Sequence, residues 1–209
     1  GAFTNLSEDH LDYHKTMAEY FRVKLSFAAK IAAQHASDSE PPPYVVCLDG
    51  GYGEEMLSAA SKLRLRVVPV SFRRTAYDLS RLPLVGDYNK SNVLTAAALA
   101  EAAGVEKAVI QGQIPLLTPR WGRLERVPSA SAADVYVDFA HTPDGLEKVL
   151  AAARGFTRGR LWVVFGAGGD RDPLKRGPMG AACAKGADRL VITSDNPRSE
   201  DPQAIMDAI

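Results

Sequence analysis

Apolar residues recur at helical spacing soon after the start of the chain. Thr16-Met17-Ala18-Glu19 has the form of a capping box, and the prolines at 41–43 cannot continue a helix. The pattern therefore predicts an N-capped amphipathic helix that ends before residue 41. At about 100° per residue, five apolar side chains share its predicted buried face: Met17, Tyr20, Phe27, Ala28 and Ile31.

Strand and helix patterns alternate along the rest of the chain. The first part predicts strands at 44–48, 65–70 and 122–127 and helices at 54–63 and 89–103. The small and turn-forming residues of 128–133 resemble a linker and suggest two domains, 1–127 and 128–209. After it the pattern predicts strands at 135–139, 160–165 and 189–194, and helices at 143–154, at 176–186 and from about 202. This alternation predicts an α/β fold with right-handed crossovers and a mainly parallel sheet.

Polar and charged residues follow each of the three later strands, at 138–141, 166–172 and 194–198. In open parallel sheets, ligands bind outside the carboxyl ends of the strands. The three segments are therefore the leading candidates for a functional site.

Net charge, the length of apolar runs and the cysteine count argue against several classes of protein. The 209 residues suffice for one large domain or two small ones, and the formal net charge is zero, which gives no support for nucleic acid or an anionic membrane as partner. No apolar run reaches membrane-spanning length, and Cys47 and Cys183 are too few for a disulfide framework. We expect a cytoplasmic monomer, and the domain-interior character of both chain ends suggests a fragment.

Lys24 falls within the predicted apolar face of the first helix. In one interpretation its stem packs and its ammonium reaches water. In the other, partial burial favours the neutral amine, which can take up carbon dioxide as a carbamate and then offer oxygen ligands to Mg²⁺. His10 lies upstream and is a candidate second ligand.

Asn89 and Asn92 open the helix predicted at 89–103. In one interpretation, one of these asparagines is the N-cap of the helix. In the other, their side-chain amides face a nucleotide base. Both interpretations remain open from the residues alone.

The segment 164–176, VFGAGGDRDPLKR, runs from an apolar strand into glycines and charges. Gly166, Gly168 and Gly169 match neither a dinucleotide fingerprint nor a Walker A loop. The bases Arg171, Lys175 and Arg176 suit an anion, although the neighbouring acids could instead balance them in a structural network. Asp195-Asn196-Pro197-Arg198 is either a turn or a set of groups that holds an amino-acid zwitterion.

Several longer motifs follow one another in the order found in one family. The sequence resembles the Mur ligases of peptidoglycan synthesis, in the branch that adds the third residue of the peptide. The resemblance covers nearly the whole chain, as part of a central domain followed by part of a Rossmann-like C-terminal domain. It rests on the segments 4–14 (TNLSEDHLDYH), 122–125 (GRLE), 137–144 (VDFAHTPD), 168–172 (GGDRD) and 195–198 (DNPR).

The resemblance implies a role for each candidate residue. Lys24 corresponds to a carbamylated lysine that binds Mg²⁺ with His10, and Lys175 to a lysine near the reacting phosphate. The implied contacts with ATP are Asn89, Asn92, Arg123, Asp138 and His141. The implied site for meso-diaminopimelate comprises Arg171, Asp195, Asn196, Pro197 and Arg198.

The implied reaction is ATP-dependent amide formation through an acyl phosphate, with ATP and Mg²⁺ as cofactors. Meso-diaminopimelate would be added to UDP-N-acetylmuramoyl-L-alanyl-D-glutamate. The alternatives are a related ligase for lysine or a folate glutamate tail, and a non-catalytic remnant that binds nucleotide or peptide.

Three features depart from the family pattern. The P-loop is absent, so this chain alone is expected to be inactive. Cys47-Leu48-Asp49-Gly50 replaces the usual Asn-Ala-Asp-Asp, and the span from Val70 to Gly86 is short.

Overall fold

The computed structural model describes residues 1–9, 11–130 and 133–209, with Asp12 described by its main chain alone. The chain forms two compact units. The first comprises residues 1–7 and 14–118, and the second comprises residues 8–13 and 119–209. A short helix, α1 (Leu11–His14), lies where the chain passes from one unit to the other.

A parallel sheet forms the centre of the first unit. Strand β2 (Pro43–Cys47) lies between β1 (Ala2–Phe3) and β3 (Arg66–Val70). Tyr44 and Val46 of β2 are buried against helices α2 (Met17–Gln34) and α3 (Gly53–Ala60). Burial of β2 on both faces explains why its sequence is a continuous apolar run rather than an alternating one.

Helix α2 begins as the sequence predicts, and Met17, Tyr20, Ala28 and Ile31 of its predicted face pack in the core. The hydroxyl of Thr16 accepts a hydrogen bond from the Glu19 amide, which confirms the N-cap. Ala28 and Ala32 are buried, whereas Phe27 is 51% exposed and Lys24 is also exposed. Lys24 lies among the apolar residues of this face but its side chain is exposed, so the interpretation that it is partly buried is wrong.

Helices complete the first unit. Helix α4 (Asp87–Ala102) packs against β2 and β3, and α5 (Lys107–Gln113) leads into a 3-10 turn at Ile114–Leu116. Asp49, just after β2, accepts hydrogen bonds from the Ser71 and Ser91 hydroxyls and from the Phe72 amide. This carboxylate ties α4 to the carboxyl ends of β2 and β3.

A parallel pair of strands, β6 (Trp162–Phe165) and β7 (Arg189–Ile192), organises the second unit. Helices α6 (Pro143–Arg154) and α7 (Arg176–Gly186) pack on each other and on one face of this pair. Leu150, Met179 and Cys183 are buried between them. The chain ends in α8 (Pro202–Asp207). The expected α/β fold class is confirmed, and the bounds of α6 and α7 match those predicted.

The strand predicted at 135–139 is not part of that parallel pair. It forms β5 (Val135–Val137), which pairs antiparallel with β4 (Glu125–Val127). The connection between β4 and β5 is too short for a parallel pairing, which needs a crossover of a dozen or more residues, so these two strands form an antiparallel hairpin. The predicted domain boundary at 127–128 falls within this hairpin, whereas the compact units divide between Thr118 and Pro119. Residues 131 and 132 of the predicted linker lie outside the described residues.

No helix in the described part of the chain is both long and apolar enough to cross a membrane. Cys47 and Cys183 are buried as free thiols, one in each unit.

Replacement of Thr16 by Ala tests the cap of α2. Loss of the hydroxyl leaves the Glu19 amide without its acceptor, so the free energy of unfolding should fall by about 1 kcal/mol. Urea unfolding followed by circular dichroism measures the change. Thr16→Ser keeps the acceptor and should stay within about 0.5 kcal/mol of the wild type; an equal loss in both variants would contradict a capping role.

Candidate functional site

Two loops meet at the carboxyl ends of β6 and β7: the glycine loop (residues 166–172) and the second loop (residues 193–200). A Cβ on Gly169 would lie 1.8 Å from the carbonyl oxygen of Pro197, and one on Gly166 would lie 2.3 Å from that of Thr193. These distances are well below van der Waals contact, and the obstructing atoms belong to the main chain. The glycines are thus required by the close approach of the two loops.

Hydrogen bonds also join the glycine loop to the second loop. The Gly169 amide donates to the Asn196 carbonyl at 2.9 Å, and the Arg198 guanidinium donates to the Gly169 carbonyl. Asp170 and Arg198 both have a φ of 51°, in the left-handed region that non-glycine residues rarely adopt. The structure therefore brings together the glycine loop and the segment Asp195–Arg198, as the sequence predicted for the ends of parallel strands.

The acids of the glycine loop have specific partners. Asp172 accepts from the Leu174 amide at 2.9 Å, and Asp170 accepts from the Ser199 hydroxyl at 2.7 Å. The Ser199 hydrogen bond holds the pKa of Asp170 below its usual range. Arg171, by contrast, is exposed, and no ion pair of Arg171 occurs among the described residues. The structural-network interpretation thus accounts for the acids, while Arg171 stays available to an anion.

Lys175 and His141 are connected through an acid to which the sequence interpretation gave no role. Asp9 places one oxygen 3.7 Å from the Lys175 ammonium and the other 3.6 Å from Nε2 of His141. The Lys175 and Asp9 side chains are only 17% and 18% exposed. Low exposure limits solvent screening, so this carboxylate attracts the ammonium more strongly than in a fully exposed ion pair.

Three of the predicted ATP contacts form one cluster around Phe139. The Arg123 guanidinium lies 5.1 Å from the Phe139 ring centroid, and the His141 ring meets Phe139 edge-on at 5.1 Å. Phe139 is 63% exposed. The Asp138 carboxylate accepts the Leu124 and Ala140 amides at 2.8 Å each, which fixes the loop. An ionised carboxylate has further lone pairs with which to accept a ligand hydroxyl.

Asn89 and Asn92 belong to the first unit. Helix α4 begins at Asp87 after Gly86, so neither asparagine is its N-cap residue. The Asn89 side-chain amide donates to the Val85 carbonyl at 2.7 Å, and Asn92 is exposed. The capping interpretation is therefore wrong for both, and their contact with ATP stays a prediction.

Lys24 lies beside a concavity of about 370 Å³. Its ammonium lies 5.3 Å from the Tyr20 ring centroid, which is a cation–π distance. His10 lies outside the described residues. Within those residues, no group of three His, Cys, Asp or Glu side chains could hold a metal ion. The lining of the concavity comprises Ala2, Phe3, Thr4, Asn5, Tyr20, Val23, Lys24, Phe27 and Tyr44.

Sequence reasoning assigned no role to Asp9, Phe139 or Glu200. Asp9 and Phe139 lie inside the motifs at 4–14 and 137–144, but their contacts with Lys175 and Arg123 join residues distant in sequence. Glu200 bonds Arg176, which is 24 residues away, and no short-range pattern predicts such a pair.

The chain belongs to the Mur ligase family. The Mur ligase middle domain matches residues 1–81, and the Mur ligase glutamate ligase domain matches residues 122–209. These two matches agree with the family to which the motifs pointed.

Curated relatives extend the match over the whole chain. UDP-N-acetylmuramoyl-L-alanyl-D-glutamate–2,6-diaminopimelate ligase of Zymomonas mobilis is 42% identical, over 98% of this chain and 46% of its own length. The enzyme of that name from Vibrio vulnificus is 39% identical, over 99% and 45%. The chain therefore spans about half the length of the curated relatives it matches.

Solved structures of similar proteins also match nearly the whole chain. A structure of UDP-N-acetylmuramoyl-L-alanyl-D-glutamate–2,6-diaminopimelate ligase matches with 30% identity and a TM-score of 0.57, over 99% of this chain and 46% of that one. Folylpolyglutamate synthase of Mycobacterium tuberculosis, complexed with ADP and AMPPCP, matches with 23% identity and a TM-score of 0.72, over 99% and 50%. At that identity the second match shows the fold alone.

Gly169→Ala tests the close approach of the two loops. A methyl group cannot occupy the 1.8 Å to the Pro197 oxygen without moving main chain, so the free energy of unfolding should fall by about 3 kcal/mol. Both tryptophans lie in the second unit, so urea unfolding followed by tryptophan fluorescence reports on it. Gly159→Ala is the matched control, because nothing lies within 4 Å of its Cβ position. A similar loss in both variants would contradict the close-approach argument.

The acids of the two loops predict a pH dependence. The pKa of Asp170 is lowered chiefly by Ser199, and that of Glu200 chiefly by Arg176. A carboxyl whose folded pKa is depressed stabilises the fold above its unfolded pKa, and this contribution is lost as the pH falls through the folded value. Stability should therefore decline below about pH 4.

Ser199→Ala separates the contribution of Asp170 from that of other acids. Without the hydroxyl, the Asp170 pKa returns towards its usual range, so stability below about pH 4 should fall less steeply than in the wild type. Thermal unfolding followed by tryptophan fluorescence between pH 3 and pH 7 checks this, with Ser194→Ala as the control. Identical pH profiles for Ser199→Ala and wild type would contradict the assignment.

Proposed function

We propose that this chain is part of an ATP-dependent ligase that adds meso-diaminopimelate to UDP-N-acetylmuramoyl-L-alanyl-D-glutamate. The observation that carries the proposal is the assembly of the two loops, which places Arg171 and Arg198 at the carboxyl ends of parallel strands. Relatives of about 40% identity bear that enzyme's name over nearly all of this chain, which supports the same acceptor.

In the proposed site the two loops bind diaminopimelate. Arg198 has a planar fork of donors that suits a carboxylate bidentately, and exposed Arg171 adds a second cation. Asp195 accepts from the ammonium of the same amino-acid end, and the Asn196 amide adds a donor and an acceptor. Pro197 shapes the turn between them, since its fixed φ limits the loop to few conformations.

The phosphate side of the proposed site comprises Lys175 and the cluster around Phe139. In the proposed reaction, ATP phosphorylates the peptide carboxylate, the amine of diaminopimelate attacks the acyl phosphate, and phosphate leaves. Lys175, paired with Asp9, would place a positive charge near the phosphoryl group as negative charge develops on it. Arg123, Asp138 and His141 would contact ATP together with Asn89 and Asn92.

Mg²⁺ is the proposed metal. A carbamate on Lys24 and the imidazole of His10 would hold it, because hard cations favour oxygen ligands. When bound, the ion would offset charge on the phosphates. A carbamate forms on the neutral amine with release of a proton, and the exposure of Lys24 leaves its side-chain nitrogen accessible to carbon dioxide.

The acceptor distinguishes this function from that of a lysine-adding ligase. Diaminopimelate differs from lysine by a second carboxylate, and recognition of that group requires a cation. The wild-type full-length ligase should strongly prefer diaminopimelate. Arg198→Ala should lower kcat/KM for diaminopimelate about a hundredfold, because the second carboxylate of the bound amino acid would be left without its cation.

Steady-state kinetics with both amino acids in the full-length enzyme measures this effect. Use of lysine should change much less, since lysine has no group for Arg198 to bind. Arg158→Ala, far along the chain from both loops, is the control and should leave both values unchanged. Equal losses for the two amino acids would place Arg198 outside acceptor recognition, and a wild-type preference for lysine would overturn the acceptor.

A further inference from the structure

Glu200, the last residue of the second loop, bonds both the glycine loop and the first residue of α7. One of its oxygens accepts from the Asp170 amide at 2.6 Å and from Nη2 of Arg176 at 2.8 Å, and the other accepts from the same nitrogen at 2.9 Å. A carboxylate so placed joins the glycine loop, the second loop and the start of α7. Sequence motifs gave Glu200 no role.

Arg176 is the buried partner in this arrangement. Its side chain is 6% exposed, and its Nε is buried without a hydrogen-bond partner in the described part of the chain. Burial of an ion is costly unless a counter-charge compensates it. Glu200 is that counter-charge, so removal of Glu200 alone would leave the Arg176 charge buried without compensation.

The Glu200 carboxylate accepts a hydrogen bond from Asp170, whose main chain has an unfavourable conformation. Asp170 has a φ of 51°, and its amide points at Glu200. The Asp170 side chain in turn accepts from the hydroxyl and the amide of Ser199. These bonds stabilise a backbone conformation that a non-glycine residue does not favour by itself.

The residues next to this network are those of the proposed site. Asp170 precedes Arg171, Ser199 follows Arg198, and Arg176 follows Lys175. An arrangement that fixes Asp170, Ser199 and Arg176 therefore fixes the backbone from which three proposed ligand-binding side chains extend.

We propose that Glu200 is a positioning residue that holds Arg171 and Arg198 in the geometry that binds the acceptor amino acid. It touches neither acceptor nor phosphate and acts through the Asp170 amide and Arg176. The inference rests on the proposed function for the identity of the acceptor, while the coupling of the loops rests on the contacts alone. Binding of a two-carboxylate amino acid depends on such preorganisation, because ordering loops on binding weakens affinity.

The double variant Arg176→Met with Glu200→Ala and the single variant Glu200→Gln distinguish a positioning role of Glu200 from a role in folding. Glu200→Ala by itself leaves Arg176 buried without a counter-charge and could unfold the unit. Arg176→Met with Glu200→Ala removes both charges, so the fold should persist while the Asp170 amide loses its acceptor. Glu200→Gln keeps one oxygen for that amide. Glu147→Ala, an exposed acid on α6, is the matched control.

Steady-state kinetics of the full-length ligase is the first readout. In the double variant, KM for diaminopimelate should rise about tenfold, as expected for loss of a charge-assisted hydrogen bond. KM for ATP should stay within about twofold, and Glu200→Gln should keep KM for diaminopimelate within about threefold of wild type. An unchanged KM for diaminopimelate in the folded double variant would overturn the proposal, as would an equal rise for ATP.

Hydrogen exchange on the 209-residue chain is the second readout and needs no activity. The Asp170 amide should lose protection in the double variant and keep it in Glu200→Gln and Glu147→Ala. If the wild-type ligase does not use diaminopimelate, the proposed acceptor fails, yet exchange at Asp170 still tests the coupling. Unchanged protection in the double variant would overturn the role of Glu200.

Discussion

The approach of two main-chain segments at Gly169 is the constraint on which the candidate site depends. The Pro197 carbonyl lies so close that no side chain fits at this position. Because the two segments follow adjacent parallel strands, the β6–β7 pairing brings them to one edge and the absence of a Cβ lets them touch. A steric requirement thus determines where Arg171 and Arg198 can be.

This constraint also explains the mixture of charges after the glycines. Asp170, Asp172 and Glu200 each accept from a nearby main-chain amide or hydroxyl, and Arg176 is paired with Glu200. The acids therefore maintain the loops, and Asp170 also interacts electrostatically with Arg198. Arg171 and Arg198 can then present positive charge to a ligand although the sequence around them is nearly balanced in charge.

Local signals in the sequence predicted most of the elements. The Thr16 cap, the Pro143 start of α6 and the apolar run of β2 depend on neighbouring residues, and the structure has them where they were expected. The pairing of β5 with β4 was missed because periodicity reports strands but not partners. Of the two interpretations of Lys24, partial burial is wrong: periodicity predicted the apolar face of α2 but not which of its positions the rest of the unit covers, and Lys24 and Phe27 are exposed.

Some residues of the candidate site were likewise predictable from the sequence and others were not. Spacing and strand ends predicted that Arg171 and the 195–198 segment would be neighbours, since parallel strands align their carboxyl ends. The positions of Asp9 and Glu200 depend on contacts between residues distant in sequence, such as the Asp9–Lys175 pair. Side chains that meet a ligand tend to lie in recognisable motifs, whereas side chains that hold those motifs in place can come from anywhere in the chain. The supporting residues therefore emerge only from three-dimensional structure, and in this unit they are carboxylates whose charge is matched by one buried arginine and one largely buried lysine.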